Sequence, residues 1–160
     1  MVGSAEAAAA RAREIARAAH EGQLDKGGRP YFEHVERVAR RLLELFPDAD
    51  TSEVEAAWLH DTIEDCGYST DRLIAEGVSL RAAEIVSKLS RDENLGYLEW
   101  IEQLAASGDV GVIRVKLADN LDNSDPDRPD FPGRADMMAK RYQPARRLLE
   151  ATLSSLPDKQ

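Results

Sequence analysis

The sequence predicts an all-α fold, a single compact multi-helix domain, on three observations. The chain has 160 residues, enough for one sizeable hydrophobic core. It is 42% hydrophobic and 32% charged, with Ala, Leu, Glu and Arg prominent, and these residues favour helix. No stretch alternates apolar and polar residues with period two, whereas apolar residues recur at helical spacing.

Each element follows from local signals. Ala5 to about Glu21 is Ala-built with interspersed Arg and Glu, and Gly22 stops it. Gln23 to Arg29 is a loop containing Gly27-Gly28, and Pro30 suits the first turn of a second helix reaching about Phe46. Val35, Val38, Leu42 and Leu45 form its apolar stripe. After the turn Pro47 to Asp50, Ser52 and Glu55 are spaced as a capping box for a third helix that Gly67 closes. Thr70 to Glu76 is a short fourth helix, and Ser79 to Ser90 a fifth with Leu80, Ala83, Ile85, Val86 and Leu89 turned partly inward. Leu95 to Ser107 is a sixth, ended by Gly108, and Val110 to about Asn123 a seventh. Ser124 to Gly133 carries three prolines and reads as a loop; residues 134–156 are helical again, with Pro144 as a break or kink. No repeat or linker divides the chain, so residues 1–160 read as one domain.

The formal net charge of −9 argues against a nucleic-acid polymer as partner, while a small anionic substrate fits if a metal ion reverses the local field. A single cysteine, Cys66, precludes an internal disulfide and points to a reducing cytoplasm. The Ala-rich start lacks the basic end and apolar core of a signal peptide, and no apolar run approaches the roughly 20 residues that span a bilayer. Nothing in the sequence speaks to oligomeric state.

Chemistry concentrates in Trp58-Leu59-His60-Asp61-Thr62-Ile63-Glu64-Asp65. On one continuous helix His60 stacks over Glu64 and Asp61 over Asp65. Three carboxylates would then oppose the negative end of the helix dipole, at about 0.3–1 kcal/mol each, and a cation is the simplest compensation. His34 on the second helix and Asp119 on the seventh could complete a mononuclear site with nitrogen and oxygen ligands, suited to Mn²⁺, Fe²⁺, Zn²⁺ or Mg²⁺. On the seventh helix Ile113, Leu117 and Leu121 form an apolar stripe, and Lys116, Asp119 and Asn123 a polar one lining a cavity. Blander readings stand beside these: His34 as a surface residue, Asp119 as a solvated carboxylate, Glu64-Asp65 as a solvated helix end. Spacing alone does not join the pieces.

Four blocks in order do join them: Ala18-Ala19-His20-Glu21-Gly22-Gln23, Gly28-Arg29-Pro30-Tyr31-Phe32-Glu33-His34, Ala56 to Asp65, and Val115-Lys116-Leu117-Ala118-Asp119-Asn120-Leu121-Asp122-Asn123. Over about residues 11–125 the chain resembles the hydrolase domain of the RelA/SpoT-type alarmone enzymes and the stand-alone small alarmone hydrolases, which are HD-domain metal-dependent phosphohydrolases. The resemblance implies one divalent metal, typically Mn²⁺, held by His34, His60, Asp61 and Asp119. It implies that Glu64 and Asp65 activate the hydrolytic water, and that Asn123 helps bind substrate near the metal. Lys26 and Lys116 are the further substrate-binding candidates. The reaction implied is removal of the 3′-pyrophosphate from (p)ppGpp. Two departures fall around the nucleotide: Asp25 stands where such enzymes commonly have Arg, and Asn120-Leu121-Asp122 where they have Arg-Leu-His. A phosphohydrolase acting on another nucleotide, such as a deoxynucleotide monophosphate or a dinucleotide cofactor phosphate, is the rival reading. A non-catalytic nucleotide-sensing or antitoxin-like module is the third.

Overall fold

Ten α-helices and one π-helical turn make up the regular structure of residues 2–157, which the computed structural model describes. Residue 1 and residues 158–160, the ends of the predicted 1–160 domain, lie outside the described residues. The helices are α1 (Val2–Ala19), α2 (Tyr31–Leu45), α3 (Thr51–Leu59), α4 (Thr62–Cys66), α5 (Thr70–Ala75), α6 (Leu80–Lys88), α7 (Tyr97–Ala106), α8 (Val110–Asn123), α9 (Arg134–Met137) and α10 (Gln143–Ser155). No strand is named among the described residues; a lone bridge between Leu24 and Pro30 pins the loop after α1.

The hub is α8. It packs on α2, α3, α6, α7 and α10, and residues 111–120 are all buried. Of the expected polar stripe Lys116, Asp119 and Asn123, Lys116 and Asn123 line clefts, while Lys116 and Asp119 are also buried close to the core residues Ile113 and Leu117. A polar row inside a core must find partners there, and that requirement shapes the site. Gly111 lets α6 approach, since a Cβ there would meet Ile85 Cδ1 at 3.1 Å.

Three local expectations change. The capping box at the start of α3 is Asp50 with Glu53, not Ser52 with Glu55. Asp50 accepts from the Glu53 N–H at 2.9 Å and Glu53 accepts from the Asp50 N–H at 2.7 Å. Glu55 is instead buried and accepts from Ser79, whose hydroxyl lies 2.9 Å away. Leu80 is 61% exposed rather than turned inward, because it opens α6 ahead of the buried Ala82 and Ala83.

The third change bears on function. The predicted third helix is two, broken at His60-Asp61, where Asp61 has φ −103° and ψ 1°. Side chains take over the carbonyls at the break: His60 Nδ1 donates to Ala57 O and the Thr62 hydroxyl to Leu59 O, both at 2.8 Å. With α4 five residues long and Glu64 and Asp65 in its first turn, the expected conflict with a long helix dipole falls away. At the C-terminal side the segment 134–156 divides into α9, a π turn over Met138–Tyr142 and α10. Pro144 sits in the first turn of α10, where its missing N–H costs no helical bond.

Candidate metal centre

Four side chains from three parts of the fold meet beside α8. His34 comes from the first turns of α2, His60 and Asp61 from the α3–α4 break, and Asp119 from the middle of α8. One donor atom from each lies within 4.8 Å of all the others. Asp119 Oδ1 is 3.1 Å from His34 Nε2 and 3.3 Å from His60 Nε2; Asp61 Oδ2 is 2.9 Å from His60 Nε2 and 3.9 Å from His34 Nε2. All four residues are buried. The sequence-predicted ligand set is thus brought together in space.

Hydrogen bonds decide what these groups can do. A carbonyl only accepts, so His60 Nδ1, 2.8 Å from Ala57 O, carries a proton. His60 Nε2 is then left buried with no hydrogen-bond partner among the described residues. Asp122 Oδ2 lies 2.7 Å from His34 Nδ1 and fixes that ring in the same sense. In the neutral form of each ring, Nε2 therefore turns a lone pair toward two carboxylates. Electron pairs facing electron pairs in a buried site call for a positive charge between them. Without an ion, the two carboxylates draw that positive charge as a proton on the imidazole. Burial alone would lower the His60 pKa, but Asp61 and Asp119 raise it well above the usual range. Burial would raise Asp61, yet His60 beside it holds the carboxyl at about 2. Asp119 is likewise held low against burial, by Lys116 and His60. Two imidazole nitrogens and two carboxylates are a donor set that suits a divalent cation.

The ring of supporting contacts is tight. The Tyr31 hydroxyl donates to Asp61, Lys116 Nζ donates to Asp119 Oδ2 at 2.7 Å, and Asn123 Nδ2 to Asp119 Oδ1 at 3.1 Å. Lys116 also lies over the Trp100 ring, 4.7 Å from its centroid. Glu64 Oε1 accepts from the Arg91 N–H at 3.0 Å. Asp65 reaches the surface of a cleft whose walls limit its solvation. Burial, then the charges of Asp61 and Glu64, push its carboxyl up to about 6.

Two clefts of about 350 and 580 Å³ meet at Asp65, each within the size range of small-molecule sites. Tyr31, Asn123, Arg128 and Phe131 line the first. Glu64, Arg91, Lys116 and Arg141 line the second. Lys26, Asp65 and Tyr142 border both.

Several residues of this site escaped sequence reasoning. Tyr31 and Asp122 had a signal, each standing at i, i+3 from a ligand on its own helix, His34 and Asp119 respectively. Arg128 had none, since it belongs to the proline-bearing loop. It bridges Asp25 Oδ2 at 2.8 Å, Asn123 Oδ1 at 3.2 Å and Asp122 Oδ2 at 3.3 Å. Asp25 therefore does not present a free anion to the cleft: it accepts from Arg128 and from the N–H groups of Gly27 and Arg29. Asn120 is wholly buried and donates to Tyr142 O at 3.0 Å, tying the π turn to α8.

Comparison with known proteins places this geometry in context. The family profile described as HD domain matches residues 12–125. The guanosine-3′,5′-bis(diphosphate) 3′-pyrophosphohydrolase of Vibrio cholerae is 39% identical over 118 residues, covering 68% of this chain and 16% of that protein. The Aquifex aeolicus protein of the same name is 39% identical over 119 residues, covering 71% of this chain and 17% of that protein. The chain thus spans about a sixth of the length of the curated relatives it matches. The solved structure of a metazoan ortholog of SpoT, described as hydrolysing ppGpp, superposes with a TM-score of 0.71 at 22% identity, covering 93% of this chain and 86% of that one. At that identity the likeness bears on the fold.

Proposed function

The chain belongs to the HD domain family, and from that membership we propose that its described residues act as one metal-dependent phosphohydrolase domain that removes the 3′-pyrophosphate from (p)ppGpp. The observation that carries the hydrolase reading is the convergence of His34, His60, Asp61 and Asp119, with both Nε2 atoms facing carboxylates. The alarmone substrate is supported by relatives at 39% identity that are named for that reaction.

In this reading the four residues hold Mn²⁺, although the nitrogen and oxygen set also accommodates other divalent ions. When bound, the ion supplies Lewis acidity to a phosphate and to water. Asp65, with its carboxyl near 6, receives the proton of the attacking water, and Glu64, pinned by the Arg91 N–H, orients that water. Tyr31 steadies Asp61 and Lys116 keeps Asp119 ionised. Lys116 also brings positive charge to the side where the phosphates gain negative charge. Lys26, at the junction of the two clefts, and Asn123 contact the nucleotide. The reading sets the domain in the cytoplasm with a freely diffusing nucleotide substrate; among the described residues no helix is long and apolar enough to cross a membrane.

A second reading, a phosphohydrolase for another nucleotide, draws on one observation. Arg128, Phe131 and Tyr142, which wall the first cleft, lie beyond the family match at residue 125. The experiment is a Mn²⁺-dependent assay of ppGpp beside a nucleotide panel, with separate detection of pyrophosphate and orthophosphate. Pyrophosphate released from ppGpp supports the alarmone reading; orthophosphate released from another nucleotide, with ppGpp untouched, transfers it to the second.

A further inference from the structure

We infer that Asp122 is a positioning residue for His34, gripping the imidazole by Nδ1 so that Nε2 is held toward the ion site. The inference rests on the reading that His34 is a metal ligand.

The geometry is that of a clamp on one ring. Asp122 Oδ2 stands 2.7 Å from His34 Nδ1, and Asp119 Oδ1 stands 3.1 Å from Nε2 of the same ring. Asp119 and Asp122 are one turn apart on α8, so they share a face. A single helical turn therefore faces both nitrogens of a residue on α2. A carboxylate that accepts from Nδ1 places the imidazole proton there and leaves the Nε2 lone pair for a cation. Such an outer carboxylate also makes the ring a stronger donor.

Asp122 is wholly buried, which would be costly for an unpaired carboxylate. Three guanidinium groups make it tolerable: Arg37 Nε at 2.8 Å, Arg41 Nε at 3.3 Å and Arg128 Nη1 at 3.3 Å. Arg37 and Arg41 lie one turn apart on α2, the helix that carries His34. The carboxylate is thus fixed in place and in charge by the element whose ligand it orients. Its shortest contact is nevertheless the one to the imidazole.

The test is calorimetric titration of Mn²⁺ into metal-free wild type, Asp122→Asn and, as a control, Glu55→Gln. Glu55 is another buried carboxylate, bonded to Ser79 and absent from the ligand cluster. Asparagine keeps the shape of Asp122 but loses the charge and can turn an N–H toward Nδ1. Asp122→Asn is expected to bind Mn²⁺ about 10–100-fold more weakly, with Glu55→Gln binding as wild type does. Asp122→Asn binding with wild-type affinity, whatever its thermal stability, overturns the inference. If Asp122→Asn does not fold, Arg37→Gln removes a partner from the rim of the cluster: several-fold weaker Mn²⁺ binding upholds the inference and unchanged binding overturns it. A wild-type protein that binds no Mn²⁺ removes the metal reading itself. Equal binding by wild type and Asp122→Asn removes only the role of Asp122.

Discussion

At His60 one hydrogen bond separates a core histidine from the metal ligand proposed for it. Donation of Nδ1 to Ala57 O leaves Nε2 facing Asp61 and Asp119 without a hydrogen-bond partner among the described residues. His34 is oriented in the same sense through a carboxylate instead of a carbonyl. Removing Asp61 should therefore abolish the site rather than weaken it. Loss of an outer residue around a metal typically costs 10–100-fold in affinity or activity, so Asp61→Ala, a proposed direct ligand, should lose on the order of 100-fold or more in Mn²⁺ affinity and in turnover. Titration calorimetry and a pyrophosphate-release assay check this. Asp65 makes a second prediction at this scale. As the proposed base it must be ionised, so kcat should fall as pH drops through its pKa. That pKa is about 6 without a cation and lower beside one, which places the limb at or below pH 6. Asp65→Asn should lose the limb and retain activity lower by about 10²–10⁴-fold, as a pH–rate profile will reveal.

Among the elements, caps and breaks matter more than helix interiors. The break between α3 and α4 exists because His60 and Thr62 side chains satisfy carbonyls that a continuous helix would occupy. Gly67, with φ 71°, then ends α4 in the left-handed region. At the start of α8, Asp109 caps the Val112 N–H and holds Arg81 through two bonds of 2.6 and 3.0 Å, with Lys88 at 3.0 Å. Burial alone would raise its pKa, but these partners hold it well below the usual carboxylate range. Asp109→Asn keeps a capping oxygen and loses the ion pairs, which are partly exposed, so it should cost about 1 kcal/mol at pH 7. Because the folded pKa is depressed, the wild-type advantage is present above the unfolded value of about 4. It is lost as pH falls through the folded value. Urea denaturation of both proteins should show the gap at pH 7 narrowing by pH 3. The same scale shows why one capping signal misled. Ser52 and Glu55 have the spacing, but Asp50 and Glu53 have it too, and the Ser79 N–H and hydroxyl claim Glu55.

For the molecule as a whole, α8 is the member that both core and site require. It is buried all round, and α10 covers one side of it with Ala145 and Leu149 fully enclosed. The family match stops at residue 125, so this cover belongs to the part of the chain outside it. Leu149→Ala should cost about 2–5 kcal/mol by leaving a cavity there. Thermal or chemical unfolding measures that cost. The π turn before α10 meets Asn120 through Tyr142 O, which links the cleft wall to the helix that carries Asp119.

Helix order, the glycine stops, the interruption at Pro144 and the four proposed ligands were legible in the sequence, because each depends on period, caps or a short motif. Only the tertiary structure decided what each charge faces. His34 meets Asp122 across 88 positions, and Asp25 meets Arg128 across 103. Local pattern carries no information over such distances, since the pairing arises from how α2 and the post-α8 loop pack. Asp25 looked in sequence like an anion beside the nucleotide; in the fold it is bound by Arg128 and two backbone N–H groups. Asp122 looked like a departure and became the partner of His34. Sequence determined which groups the site could contain; packing determined which nitrogen of each ring is anchored and which faces the carboxylates, because burial presses polar atoms to find partners.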